Sequence, residues 1–241
     1  MPFYVTKLCR DAIRGLDVRL FSVHHNLPST NFRLKAIEMD IQDSKGISIV
    51  NTLKWYIVRL CSRLSLRISY HYSDKYIVLS PRFIQVAKRF LWLHKTNKML
   101  SLFNPITSPE SDFIANKAKE IVYIGRIEYN QKRTYRLLEV WERLMQQHPD
   151  WRLTIVGDGP DREDLAKRIV SKNLVNVTLE GFQDPIQYYQ RASILLLLSE
   201  YEGFPLVIGE AMNYSVIPVV LGSFDAIYDI LSDGKDGVII N

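Results

Sequence analysis

The chain has 241 residues, 47% apolar and 24% charged, a make-up that fits a folded globular protein and excludes a disordered or fibrous one. Its net charge of +5 is unevenly spread: residues 1–100 hold 17 Lys and Arg against 6 Asp and Glu, while residues 101–241 hold 14 against 20, so a basic half adjoins an acidic half. No apolar run is long enough for a membrane span, no signal-peptide core follows Met1, and Cys9 and Cys61 have neither metal-ligand nor CxxC spacing, which points to a reducing compartment.

The first residues fall directly into a helix-like segment. Asp17 to Val23 reads as a short strand closed by the polar turn His24-His25-Asn26-Leu27-Pro28-Ser29. From Gly46 to Arg67 a helix is expected, with Ile47, Val50, Leu53, Ile57, Leu60, Leu64 and Ile68 at helical spacing. Its other side carries Lys54 and the row Arg59, Arg63 and Arg67, which is either a solvated face or a contact for anionic lipid headgroups. A second strand, Lys75–Leu79, runs into Ser80-Pro81, and Pro81 suits the opening of a helix to Arg89. Met99 to Leu102 is a weaker strand, and Pro105 ends the first region.

The expected organisation is a first domain over 1–105, a connector over 106–118 holding Ser108, Pro109 and Ser111, and a second domain over 119–241. In the second, strands at 121–124, 152–156, 177–179 and 194–198 alternate with helices near 134–147, 161–172, 186–190 and 207–213. That alternation is the α/β pattern of a doubly wound parallel sheet. The run Ala192–Ser199 is almost wholly apolar, as a strand buried on both faces requires. After each strand comes a glycine turn: Gly125-Arg126, Gly157-Asp158-Gly159-Pro160, Gly181-Phe182 and Glu202-Gly203-Phe204-Pro205. One such turn is weak evidence, but four in succession are expected to gather at one sheet edge, where glycine lets the backbone approach a phosphate. Arg126 and Lys132, between the first of these strands and its helix, are placed to flank a diphosphate. The densest signal is Tyr201 to Met212, which puts Glu202 in a loop and Glu210 early in the following helix, so that both can line one cleft.

Taken together, these residues resemble the retaining nucleotide-sugar glycosyltransferases of the GT-B type, the glycosyltransferase family 4 group also called glycosyl transferases group 1. The resemblance rests on the glutamates Glu202 and Glu210 with seven residues between them, Gly125-Arg126 with Lys132, Gly157-Asp158-Gly159-Pro160, Gly181-Phe182, Ile217-Pro218-Val219-Val220 and Asp236-Gly237. The first half is similar less specifically, through Val23-His24-His25-Asn26, Asp74 to Ser80 and Asn104-Pro105-Ile106. It implies two facing Rossmann-like domains. The family's glycine-rich opening loop and C-terminal tail are not found, so the first domain is expected to be incomplete and the second nearly complete, as in a chain truncated at both ends.

The resemblance further implies that Glu210 binds the ribose and Glu202 the donor sugar, and that Arg126 and Lys132 hold the diphosphate in place of a metal. Gly125, Gly157, Gly203, Phe204, Pro205 and Leu206 would line the phosphates and sugar, Phe182 would lie by the base, and His25, with His24 as near-equal alternative, would meet the sugar. No metal or resident cofactor is expected. The donor would be a nucleotide diphosphate-sugar, most often a UDP-sugar, and the acceptor a saccharide or a lipid-linked chain of surface polysaccharide, lipopolysaccharide or capsule. The setting would be cytoplasmic, peripheral to the inner face of the membrane through the basic half, with no nucleic-acid partner, since no zinc-finger or RNA-binding motif accompanies that half. Alternatives are a nucleotide-binding remnant without turnover, and a nucleotide-sugar epimerase or a phosphorylase on the same fold.

Overall fold

The computed structural model describes residues 4–43, 49–106 and 116–241, which form two compact units meeting in sequence between Asn104 and Pro105. The start of the helix expected from Gly46, with Ile47, and most of the connector, with Ser108, Pro109 and Ser111, lie outside the described residues.

The first unit contains α1 (Tyr4–Ala12), β1 (Phe21–His24), α2 (Phe32–Asp43), α3 (Ile49–Tyr72), β2 (Lys75–Val78), α4 (Pro81–Phe90) and β3 (Met99–Ser101). Its three strands are parallel in the order β1-β2-β3. Tyr76, Val78, Leu79, Phe83, Ala87 and Phe90 form its core. α4 starts where Ser80 Oγ accepts from the Arg82 amide at 3.2 Å, with Pro81 in the first turn. β1 is shorter than the expected 17–23 strand, because Leu20 donates its N–H to the Asp74 carboxylate at 2.7 Å and joins no ladder. α2 adds a helix beyond the expected elements, and Asn31 Oδ1 caps its start by accepting from the amides of Arg33 and Leu34 at 3.1 Å.

The arginine row of α3 is spent inside the unit. Arg63 Nε donates to the Phe90 carbonyl at 2.7 Å while its guanidinium lies 3.6 Å from the Trp92 ring centre, and Arg67 donates to the Leu91 carbonyl at 3.3 Å. These are the last carbonyls of α4, where cations are favoured. Arg59 lies over Trp55. The apolar positions Ile49, Val50, Leu53, Ile57, Leu60 and Leu64 are left exposed.

The second unit contains β4 (Ala118–Ile124), α5 (Tyr135–Leu144), β5 (Arg152–Val156), α6 (Arg162–Ser171), β6 (Val177–Gly181), α7 (Ile186–Arg191), β7 (Ala192–Leu197), α8 (Leu206–Asn213), β8 (Ile217–Leu221), α9 (Ile227–Ile230) and β9 (Val238–Ile240). All six strands are parallel, in the order β6-β5-β4-β7-β8-β9. Strand order therefore reverses between β4 and β7, the switch point at whose carboxyl side ligands of such sheets bind. Val122, Tyr123, Ile155, Leu195 and Leu197 fill the sheet, and Leu137, Leu138, Trp141, Ile208 and Ala211 cover it.

β4 begins three residues before the strand expected at Ile121, and it carries a fully buried acid. Glu120 accepts from Thr154 Oγ1 at 2.6 Å, from Arg191 Nε at 2.9 Å and from Arg152 at 3.0 Å. Burial alone would raise its pKa, but the bonds from Arg191 and Thr154 and the nearby positive charges outweigh this and hold the carboxyl below its ordinary value.

Candidate functional site

The glycine turns do come together. The Gly125 amide donates to the Val156 carbonyl at 3.0 Å and the Gly157 amide to the Gly181 carbonyl at 2.7 Å, which ties the ends of β4, β5 and β6 side by side. Glycine is required at Gly157: φ is +138°, and a Cβ there would stand 1.9 Å from the Gly125 carbonyl oxygen. A Cβ at Gly159 would stand 2.2 Å from the Ile127 carbonyl oxygen, so the backbones after β4 and β5 are in direct contact. Gly203 follows β7, the neighbour of β4 on the other side.

Across the switch point the loops after β4 and β7 are joined by backbone and side-chain bonds. The Glu200 amide donates to the Gln131 carbonyl at 2.7 Å, and Gln131 Nε2 donates to the Tyr201 carbonyl at 3.1 Å. Lys132 Nζ lies 2.6 Å from Glu202 Oε1. Glu202 is only 5% exposed, so the ammonium is the main partner of a desolvated carboxylate. Arg133 and Arg136 both pair with Glu200, at 3.3 and 3.0 Å, and fix the loop from beneath. Arg126 is exposed on the same edge, where its carbonyl accepts from the Tyr123 hydroxyl at 2.8 Å. Burial first, and then the charges of Glu202 and Glu128, push the Tyr123 phenol upward, so it stays protonated as a donor.

Glu210 sits one turn into α8, half-buried, and its Oε2 accepts from the Tyr189 hydroxyl at 2.8 Å. No side chain caps the start of α8, which leaves its first amides facing the loop. Pro205 has no N–H, so within 203–206 it shapes the turn, and donors are confined to Gly203, Phe204 and Leu206. Phe182 projects from the end of β6 and is 86% exposed. Among the described residues no group of three His, Cys, Asp or Glu is arranged to hold a metal ion.

In the first unit, the adjacent histidines at the end of β1 differ in exposure. His25 is exposed. His24 lies parallel to the Tyr76 ring at 6.3 Å, its Nε2 has no partner, and it lines a pocket of about 180 Å³ with Asn31, Leu34, Ser62 and Ser65. Burial lowers its pKa to about 4, against a smaller opposing effect of the Leu27 backbone, so it is neutral near pH 7.

Residues 118–241, just over half of the chain, match the family model described as glycosyl transferases group 1. The chain belongs to this family. Among proteins of the family, an uncharacterised glycosyltransferase of Haemophilus influenzae is 31% identical over 237 residues, covering 90% of this chain and 61% of its own length. A Campylobacter jejuni α-1,4-N-acetyl-D-galactosaminyltransferase, named for an undecaprenol-diphosphate-linked saccharide, is 25% identical and covers 74% of this chain and 49% of its own. The chain thus spans about half to three-fifths of these relatives' length. A point mutant of S. aureus TarM, solved with fondaparinux, α-GlcNAc-glycerol and UDP, has a TM-score of 0.71 at 22% identity and covers 95% of this chain and 42% of its own. That likeness concerns the fold, which is the α/β, Rossmann-like architecture with parallel sheets of the GT-B type.

Proposed function

We propose that the second unit binds a nucleotide diphosphate-sugar, with UDP the favoured nucleotide, and that the protein transfers the sugar with retention to a saccharide or lipid-linked acceptor in surface-polysaccharide assembly. The observation that carries this is the Lys132–Glu202 pair at 2.6 Å, set at the strand-order reversal with Arg126 exposed beside it. A diphosphate laid over Gly125 and Gly157 meets the cations of Arg126 and Lys132, which offset the charge that grows on the leaving group. Donor binding draws Lys132 toward the phosphates and leaves Glu202 acceptor capacity for sugar hydroxyls. Glu202 serves as a hydrogen-bond acceptor and not as a nucleophile, the departing phosphate taking the acceptor's proton on the same face. Glu210 accepts from the ribose, Phe182 lies by the base, and the amides of Gly203, Phe204 and Leu206 face the phosphates and sugar. In the first unit, His25 is the expected sugar contact, and the pocket lined by neutral His24 suits an acceptor hydroxyl. No divalent metal is needed in this scheme.

The membrane partner moves from the arginine row to the apolar stripe of α3. Ile49, Leu53, Ile57, Leu60 and Leu64 are exposed on a helix that carries no acid and keeps Lys54 exposed, in a basic half of the chain, a combination that suits the inner face of an anionic bilayer. Support for a lipid-linked acceptor comes from the Campylobacter relative, and for UDP from the TarM complex. A screen of nucleotide-sugars with oligosaccharide and polyprenol-diphosphate acceptors, with anomer analysis of products by NMR, tests the reaction. Retained configuration without added metal is expected, whereas an inverted product or a strict manganese requirement overturns it. Sedimentation with vesicles tests the surface: anionic vesicles should be preferred at low salt and the preference lost in Leu53→Asp/Leu60→Asp, and equal binding to neutral vesicles rejects it.

A further inference from the structure

Two buried acids of the second unit and a partly buried one are matched to cations: Glu120 to Arg152 and Arg191, Glu202 to Lys132, and Glu200 to Arg133 and Arg136. Glu210 differs. Its one partner among the described residues is a neutral donor, the hydroxyl of Tyr189 at 2.8 Å, which takes Oε2 and leaves Oε1 unengaged. A carboxylate held this way is oriented while its charge is left uncompensated, so it remains a strong acceptor for further hydroxyl groups.

Tyr189 is itself fixed on several sides. It is 1% exposed and its ring stacks on Tyr214 at 5.8 Å and 17°. Lys117, at the approach to β4, donates to the carbonyls of Tyr189 and Gln190 at 2.7 and 2.9 Å, which pins the end of α7. Burial, then the charge of Glu210, raises the phenol's pKa, so the hydroxyl donates throughout the working pH range. A glutamate on a helix surface otherwise samples many rotamers, and ordering it on binding costs entropy that a preset hydrogen bond removes in advance.

We propose that Tyr189 is a positioning residue that holds Oε2 of Glu210 so that Oε1 meets the ribose hydroxyls of the bound nucleotide. The proposal rests on the assignment of Glu210 to the ribose made above. It also gives the buried Tyr189 hydroxyl of the short helix α7 a role beyond core packing.

The test compares UDP, 2′-deoxy-UDP and 3′-deoxy-UDP binding by calorimetry in the whole chain and in two variants. Wild type should favour UDP over at least one deoxy form by about tenfold or more. Glu210→Ala should abolish that preference; if the preference survives, the ribose assignment itself is wrong. Tyr189→Phe keeps the ring, the Tyr214 stack and the Lys117 contacts and removes only the donor. It should weaken UDP binding about five- to fifteenfold and shrink the UDP-to-deoxy ratio several-fold, with uridine-independent ligands such as pyrophosphate bound as in wild type. A Tyr189→Phe protein with a lower melting temperature but an unchanged ratio overturns the positioning role while leaving the ribose assignment intact. If Tyr189→Phe does not fold, Tyr189→Leu supplies an apolar filler without the donor and is read by the same ratio.

Discussion

Replacing Glu120 by alanine removes the shared acceptor of Thr154, Arg191 and Arg152 at the amino end of the sheet's central strand. The carboxylate is fully buried, but the Arg152 and Arg191 side chains are 50% and 41% exposed and can rehydrate. The loss therefore falls at or below the low end of the about 3–5 kcal/mol typical when a buried pair loses one member. The Thr154 hydroxyl, 1% exposed and stripped of its close acceptor, accounts for about 1–2 kcal/mol. The charge-assisted bonds from half-exposed guanidiniums, screened by solvent, account for about 1 kcal/mol more, for a total of about 2–3 kcal/mol. Urea titration followed by tryptophan fluorescence measures this if Trp55→Phe and Trp92→Phe remove the reporters of the first unit and leave Trp141 and Trp151. Because the folded-state pKa of Glu120 is depressed, its contribution is complete above about pH 4.3 and disappears as pH falls through the lower folded value. The Glu120→Ala profile should thus be flatter than wild type in the acid range. UDP affinity of the folded variant should be unchanged, since Glu120 is at the far end of β4 from Gly125. A loss below about 1 kcal/mol, or wild-type acid sensitivity in Glu120→Ala, would show that the triad does not hold the sheet as argued.

Lys132→Ala should weaken UDP binding about ten- to a hundredfold while leaving uridine binding nearly untouched, because the lysine is assigned to the phosphates; paired calorimetric titrations decide it. Gly157→Ala forces a Cβ against the Gly125 carbonyl at a positive φ, so a stability loss of at least about 2 kcal/mol and impaired UDP binding are expected in thermal and binding assays. His24, with a folded pKa of about 4 against about 6.5 unfolded, supports stability fully above pH 6.5. That support is lost between pH 6.5 and 4, by up to about 3 kcal/mol. His24→Gln should remove this slope from the first unit's denaturation profile, and an unchanged slope would mean that His24 is not held neutral.

The second unit was largely legible because its signals are local. Apolar runs such as Ala192–Ser199 and glycine turns after each strand are written in consecutive residues, and they emerge as β7 and the shared edge of β4, β5 and β6. What was not legible depended on partners distant in sequence. Lys119 and Glu120 make the start of β4 look too polar for a buried strand, because the arginines that allow Glu120 inside a sheet stand 32 and 71 positions away. The row Arg59, Arg63 and Arg67 reads as an outward face until the end of α4 is placed against it. Tyr189 is one of two adjacent tyrosines, and only the placement of Glu210 separates its role from core packing. α2 is a different kind of omission, since Asn31 marked its start in the sequence itself.

The central claim is that one nucleotide site is assembled at the carboxyl edge of the second sheet, and amide chemical-shift mapping during UDP titration in the presence of EDTA tests it most directly. The account predicts saturable shifts concentrated at Gly125, Gly157, Gly181, Gly203 and the first turn of α8, together with their loss in Glu210→Ala. Shifts centred instead on the apolar cleft at the opposite end of the sheet, lined by Trp141, His148 and Trp151, or no saturable shift without a divalent metal, would contradict it.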